Sequence, residues 1–238
     1  MRRIVLRHGT LVFGAAAVLL LTNGCGTGLL QQKITEGVIE YALSFPDYDP
    51  DGLMAGMLPD KTTLSFTETQ QTAELSAGMG VFRTSMMVNN EKKNMDYHLS
   101  VMSKKLVSHL QEKDMAMFNK DERAMTFIWT DETDTIAGYP CKKAIAIYGG
   151  VDKPEAELWY TDRIQVKDPN WFGPYSQIPG VLLRYSIEQY GMRMHLDAVQ
   201  VIPGKVDASK FQVRQDHDAV PPAVLHHELN EVLSTFSI

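Results

Sequence analysis

The sequence predicts a mainly β domain: a curved antiparallel sheet, or half-barrel, with a short lid helix and a C-terminal helix. Two observations lead to this fold class. Apolar and polar residues alternate in about ten short runs that turn residues separate. Helical spacing of apolar residues occurs at only two places. This combination suits an antiparallel sheet that curls around a covering element.

The alternation is clearest between Asn94 and Met102, where every second residue is apolar. Side chains two apart on a strand point to the same face, so one face of this strand is apolar. The dipeptide Tyr190-Gly191 predicts a hairpin between the last two strands. Strands are predicted over 38–45, 62–67, 72–77, 81–88, 94–102, 105–111, 115–118, 124–130, 142–148, 156–161, 181–190 and 192–202.

Two helices are predicted. The first, over 51–58, ends at Pro59 and is short enough to act as a movable lid. The second begins at Pro222, a residue favoured at helix starts. The apolar stripes are Leu53, Met54, Met57 and Leu58 in the first helix, and Leu225, Leu229, Val232, Leu233 and Phe236 in the second.

The N-terminus predicts an exported lipoprotein. Three arginines precede an apolar run over 11–21, and Gly24-Cys25 follows, as in a signal cut before an acylated cysteine. We expect a signal peptide over 1–24, a lipidated tether over 25–35 and one β-rich domain over 36–238. Gly26 is not acidic, which favours the outer membrane of the bacterial envelope, facing the periplasm.

The net charge and the cysteine content limit which binding partners and which disulfides are expected. The net charge is −6, and it falls to −9 when the three signal arginines are removed. A negative domain disfavours nucleic acid and anionic lipid surfaces. With Cys25 acylated, Cys141 has no disulfide partner. Lys142 and Lys143 would favour a Cys141 thiolate, whereas a small residue entering a strand is the simpler interpretation.

Three short strings resemble the GLPGLI family of exported bacterial β-proteins, which have no assigned function. They span 138–144 (Gly-Tyr-Pro-Cys-Lys-Lys-Ala), 158–164 (Leu-Trp-Tyr-Thr-Asp-Arg-Ile) and 173–183, where Ile178-Pro179-Gly180-Val181-Leu182 stands in place of the name-giving string. The resemblance implies a half-barrel similar to the LolA and LolB lipoprotein carriers, and no catalytic residues. Read from the residues alone, Gly173-Pro174 and Pro179-Gly180 are structural turns.

No catalytic or metal motif stands out, so neither an enzyme nor a cofactor is predicted. Methionines two apart suit Cu(I), yet a strand would turn His195 away from Met192 and Met194; copper binding is the weakest alternative. His226-His227-Glu228 lacks the zinc-protease spacing. Asp216-His217-Asp218 is interpreted as a solvated turn. Aromatic residues such as Trp171 and Phe172 would ordinarily belong to the core; because this pair lies in a loop, the alternative is an exposed cavity rim or contact patch.

The predicted function is binding of an apolar ligand, such as an acyl chain or lipid, between the sheet and its helices. Methionine suits this role because it adapts to irregular shapes. The alternative is an interaction or scaffold module of an envelope complex, which an exposed apolar patch without an enclosed cavity would favour. The ligand-binding residues predicted are Met95, Tyr97, Leu99, Met125, Phe127, Trp129, Met192, Met194, Leu53 and Met57.

Overall fold

The described residues form one curved, open sheet of twelve strands, with two short helices. The computed structural model describes residues 33–49, 51, 55–119, 125–149 and 155–234, all within the unit Gln31–Ile238. The sheet order is β12-β6-β5-β4-β3-β2-β1-β11-β10-β9-β8-β7, and every pair is antiparallel except β12 with β6. The strands are β1 (Gly37–Ser44), β2 (Lys61–Phe66), β3 (Gln70–Ala77), β4 (Phe82–Asn89), β5 (Asn94–Val101), β6 (Lys104–Gln111), β7 (Met125–Ile136), β8 (Tyr139–Tyr148), β9 (Ala156–Thr161), β10 (Val181–Gln189), β11 (Met192–Pro203) and β12 (Asp218–Ala219).

The mainly β prediction is confirmed, and so is the C-terminal helix α2, which runs over Pro222–Ser234. Within the predicted lid helix, the described residues 51 and 55–58 contain a 3₁₀ turn at Ala55–Met57 in place of α-helix. The strand predicted over 115–118 is wrong. Helix α1 (Met115–Phe118) lies there, because a capping box between Gln111 and Asp114 starts a helical turn. No helix in the described part of the chain is long and apolar enough to cross a membrane.

Each face of the sheet is covered by a different part of the chain. The inner face, which carries Ile39, Tyr97 and Leu158, packs against α1, α2 and residues 162–180, the connection between β9 and β10. We call residues 162–180 the inner loop. Its Trp171, Ile164 and Ile178 enter three separate core clusters, so the inner loop fills space along much of the sheet.

Residues 204–217, which follow β11, cross the outer face of β2 to β6, and we call them the strap. Lys210 Nζ donates to Ser65 Oγ at 3.2 Å, and the Arg214 backbone N–H donates to His98 Nε2 at 3.2 Å. Asp216 pairs with Lys105 at 2.6 Å. The strap then continues into β12, which closes this edge of the sheet beside β6.

Candidate functional site

The predicted ligand-binding residues on β5 are part of a closed core. Met95, Tyr97 and Leu99 are 3%, 6% and 0% exposed. They share a cluster with Leu225 and Leu229 of α2, both fully buried. The inner face is therefore filled by the protein's own side chains at this position.

The structure does not bring the other predicted residues to the same place. Met125 and Phe127 lie beside a second cluster and Met194 beside a third, while Met192 is buried. Trp129 is 50% exposed and lies within 6.5 Å of the Phe127 ring on β7, the other edge of the sheet. Cys25 and Leu53 lie outside the described residues.

The inner loop fills space along the inner face of the sheet, beside these residues. Trp171 is a core residue, only 8% exposed, and its indole N–H donates to Asn90 Oδ1 at 3.1 Å. Gln71 donates to the same oxygen at 3.1 Å. A ligand on the inner face would have to displace this buried, hydrogen-bonded segment.

Gly180 supports the interpretation of Pro179-Gly180 as a structural turn. A Cβ there would lie 2.4 Å from the Thr161 carbonyl oxygen, closer than side chains tolerate. Asn170 donates to the carbonyls of Ile178 and Gly180 at 2.8 and 2.9 Å. The motif therefore holds the inner loop against the start of β10.

An apolar opening lies at one end of the sheet. It is a cleft of about 440 Å³ between α2 and the turns that join β3 to β4 and β5 to β6. We call it the methionine cleft. Its apolar lining comprises Met57, Val81, Phe82, Val101, Met102 and Val232.

Exposed apolar side chains surround the methionine cleft. Met79 and Met102 are 101% and 87% exposed, and Val81 is 53% exposed. Among the described residues predicted to bind ligand, Met57 lines this cleft, and it is 41% exposed. Met79 lies between the lining residues Gly78 and Val81 without itself lining the cleft. Exposed apolar side chains that group together are typical of interaction sites.

The two turns present these methionines through unusual backbone conformations. Gly78, Met79 and Gly80 have φ angles of 57°, 54° and 88°, and Met102 has φ of 52°. A side chain is disfavoured in this left-handed region, where glycine is the usual choice. The Met102 N–H donates to the Val81 carbonyl at 3.1 Å, which ties the two turns together.

A charged rim borders the cleft on the α2 side. Lys104 Nζ donates to both carboxylate oxygens of Glu228, at 2.9 and 2.7 Å. This hydrogen bond raises the pKa of Lys104 above its ordinary value. Beside it, His227 and Glu231 lie 3.3 Å apart, one helical turn from each other. The rim therefore presents both charge signs next to the apolar lining.

Cys141 is a buried thiol on the inner face. It is 1% exposed, and its Sγ lies 3.4 Å from the Tyr139 carbonyl. Burial raises its pKa to about 12. The activating lysines proposed from the sequence have acidic partners instead: Lys142 pairs with Asp162, and Lys143 pairs with Glu132 and Glu157. The thiolate interpretation is wrong, because burial opposes the charge.

The strap contains one constellation that the sequence did not reveal. Ser100 Oγ lies 3.0 Å from His217 Nε2, and His217 Nδ1 lies 2.9 Å from Asp216 Oδ1. Serine hydrolases use these groups in this order. Here Ser100 lines none of the four described cavities, and the His217 side chain is only 2% exposed. The geometry fits a structural hydrogen-bond network that holds the strap on β5.

The remaining candidates are structural in the described part of the chain. His226 packs within 5.3 Å of the Phe118 ring and 5.5 Å of the Tyr190 ring. Met115 and Met117 lie on α1 rather than on a strand. Among the described residues, no group of three or more His, Cys, Asp or Glu side chains is placed to hold a metal.

A family model described as "N-glycanase peptide, N-terminal domain" matches residues 60–175, just under half of the chain. The match covers two of the three strings that resemble the GLPGLI family, and that resemblance stays a prediction. No curated protein matches the chain.

Solved structures of PNGF-II are similar to this chain. The C2 crystal form has 17% identity and a TM-score of 0.51, and the P2₁ form has 15% identity and a TM-score of 0.50. Each alignment covers 83% of this chain but 33% of PNGF-II, so the chain spans about a third of that protein's length. MucB in complex with MucA matches more loosely, with 8% identity and a TM-score of 0.34 over 78% of this chain and 57% of MucB. The PNGF-II similarity shows the fold alone.

Proposed function

We propose that this domain is a non-enzymatic interaction module that binds an apolar segment of a partner protein in the methionine cleft. The observation that carries the proposal is the exposed apolar surface around the cleft, where Met79 and Met102 are 101% and 87% exposed. Methionine surfaces adapt to partner shape.

The position of the cleft favours a protein over the membrane to which the chain would be anchored. The chain enters the sheet at Gly37, which pairs with Phe66 at the β2–β3 turn. The turns at 78–81 and 102–103 lie at the opposite end of these strands. The cleft therefore faces away from the end at which the tether would join.

The comparison with PNGF-II supports the same interpretation by analogy. The matching fold there accounts for a third of a longer chain, and the family model is named for the N-terminal domain of an N-glycanase. A domain that is joined to further protein needs a surface for contact with it. In this chain, the methionine cleft is a surface suited to such a contact.

The proposal also includes attachment of the chain to a membrane through a lipid on Cys25. The signal sequence and Cys25 support an acylated protein of the outer membrane, facing the periplasm. Intact-mass measurement of the chain purified from its native envelope should show cleavage before Cys25 and added acyl mass. An uncleaved chain would contradict the anchor without affecting the cleft.

Site-specific photo-crosslinking in native envelopes tests the interaction. A photoreactive residue at position 79 should form an adduct with one protein, whereas the same residue at position 199, where Val199 is 60% exposed on β11, should not. Met102→Asp should abolish the position-79 adduct, since aspartate tolerates a left-handed backbone but opposes apolar contact. Equal adducts from 79 and 199, or an adduct unaffected by Met102→Asp, would contradict the proposal.

An acyl chain is the second candidate occupant. The cleft volume of about 440 Å³ lies within the usual range for small-ligand pockets, roughly 300–1,000 Å³. Because the cleft is open to solvent, it would leave much of an acyl chain in water. A position-79 adduct that contains lipid and no protein would favour this candidate over a protein partner.

A further inference from the structure

A second cavity lies beneath the strap, on the face of the sheet opposite the inner loop. Its volume is about 250 Å³, and its floor is built from β2, β3 and β4. Four hydroxyl side chains line that floor: Thr63, Ser65, Thr72 and Ser85. We call it the strap pocket. A floor rich in hydroxyl groups suits a ligand that makes hydrogen bonds.

One of these hydroxyls lacks a partner. Ser85 is 3% exposed, and within the described part of the chain its Oγ makes no hydrogen bond. Buried polar groups are nearly always hydrogen-bonded, and leaving one unsatisfied is unfavourable. A ligand bound against this serine would supply the missing hydrogen bond.

The charges around the strap pocket favour an anion. Arg214 and Arg83 both pair with Glu74, at 3.0 and 3.2 Å. Lys210, in the roof, donates to Ser65 and has no ion pair within 4.0 Å among the described residues. Asp207 lies on the strap outside the lining, and its carboxylate accepts a hydrogen bond from the Ser209 N–H at 2.9 Å.

The residues that line the strap pocket include two cations, Lys210 and Arg214, and one carboxylate, Glu74, so the lining carries one more positive than negative charge in a chain whose net charge is −6. A local positive site in an otherwise acidic protein concentrates anions. We propose that the strap pocket binds a small, hydroxylated carboxylate of the sugar-acid class, with Lys210 at the carboxylate and Ser85 at a ring hydroxyl.

Titration calorimetry of the full chain with D-glucuronic acid tests this proposal, with D-glucose and inorganic phosphate as comparison ligands. Glucuronate should bind, and each comparison ligand should bind at least about tenfold more weakly, because each lacks one of the two recognised features. Glucose binding as tight as glucuronate would refute the role of the charge. Phosphate binding as tight would refute the role of the hydroxyl groups.

Ser85→Ala and Lys210→Gln should each weaken glucuronate binding about tenfold or more. Two matched variants should change it less than about twofold. Ser108→Ala removes another buried, unpartnered hydroxyl that does not line the pocket, and Lys205→Gln removes an exposed strap lysine outside it. Absence of glucuronate binding, or equal losses in all four variants, would overturn the proposal.

A stability measurement separates binding from folding. Because the Ser85 hydroxyl has no partner, Ser85→Ala should leave the urea unfolding midpoint unchanged or raise it. A lowered midpoint together with weaker binding would show that Ser85 supports the fold instead. Neither result depends on the methionine cleft, which lies outside the strap pocket.

Discussion

His98 is a buried imidazole on the outer face, beneath the strap. It is 1% exposed, and its ring lies 5.1 Å from the ring of His217 in an edge-to-face arrangement. Burial, together with the nearby His217 and Arg214, lowers the pKa of His98 to about 4, although Asp96 acts in the opposite direction. The strap therefore packs on a neutral His98, which accepts a hydrogen bond from the Arg214 N–H.

This environment makes the fold sensitive to acid. Between pH 6.5 and about 4, the unfolded chain protonates His98 and the folded chain does not, so stability falls as the pH is lowered through this range. His98→Gln keeps an acceptor that does not titrate. Its melting temperature should therefore fall less steeply over this range than that of the unsubstituted chain, and identical slopes would contradict the assignment.

Gly180 gives a second prediction at the residue scale. Gly180→Ala would place a Cβ 2.4 Å from the Thr161 carbonyl oxygen, whereas a Cβ at Gly173 meets nothing within 4 Å. Overpacking against backbone should lower the free energy of unfolding by about 1–3 kcal/mol. Urea denaturation should show this loss for Gly180→Ala and almost none for Gly173→Ala. Equal effects would mean that the inner loop is not held at Gly180.

Helix α2 depends on tertiary packing, since thirteen residues form a marginal helix alone. Leu225 and Leu229 are fully buried against the inner face, while Val224 is 43% exposed. α2 also supplies Glu228 and Val232 to the methionine cleft. The core contacts of this helix therefore position one wall of the proposed binding surface.

Leu229→Ala should lower the free energy of unfolding by about 2–5 kcal/mol, because it opens a cavity in a closed cluster. Val224→Ala should change it by no more than about 0.5 kcal/mol. Chemical denaturation of both variants provides the comparison. Similar small losses in both would contradict the packing of α2 on the inner face.

At the scale of elements, periodicity predicted most strands but not what covers them. The hairpin at Tyr190-Gly191 and the helix that begins at Pro222 are both present. Residues 115–118 deviate because local capping outweighs a two-residue methionine spacing. The inner loop lacks regular periodicity, so its burial against three clusters could not be predicted from alternation.

At the scale of the whole sheet, strand periodicity also did not predict where the candidate binding site lies. Strand alternation identified apolar residues such as Met95 and Leu99, but it could not distinguish a cavity wall from a filled core. The methionine cleft depends on two turns that meet through the Met102–Val81 hydrogen bond, just beyond the last β4–β5 pair, Phe82 with Val101. Gly78-Met79-Gly80 and Met102-Ser103 were the available sequence signals, since each places an apolar residue in a tight turn.

The most direct test of the proposed interaction is native mass spectrometry of the chain released from its envelope in mild detergent. We predict a complex with one further protein that is lost in Met102→Asp and retained in Val199→Asp, the exposed control on β11. A chain that is released alone, or that carries only lipid in both variants, would contradict an interaction module built on the methionine cleft.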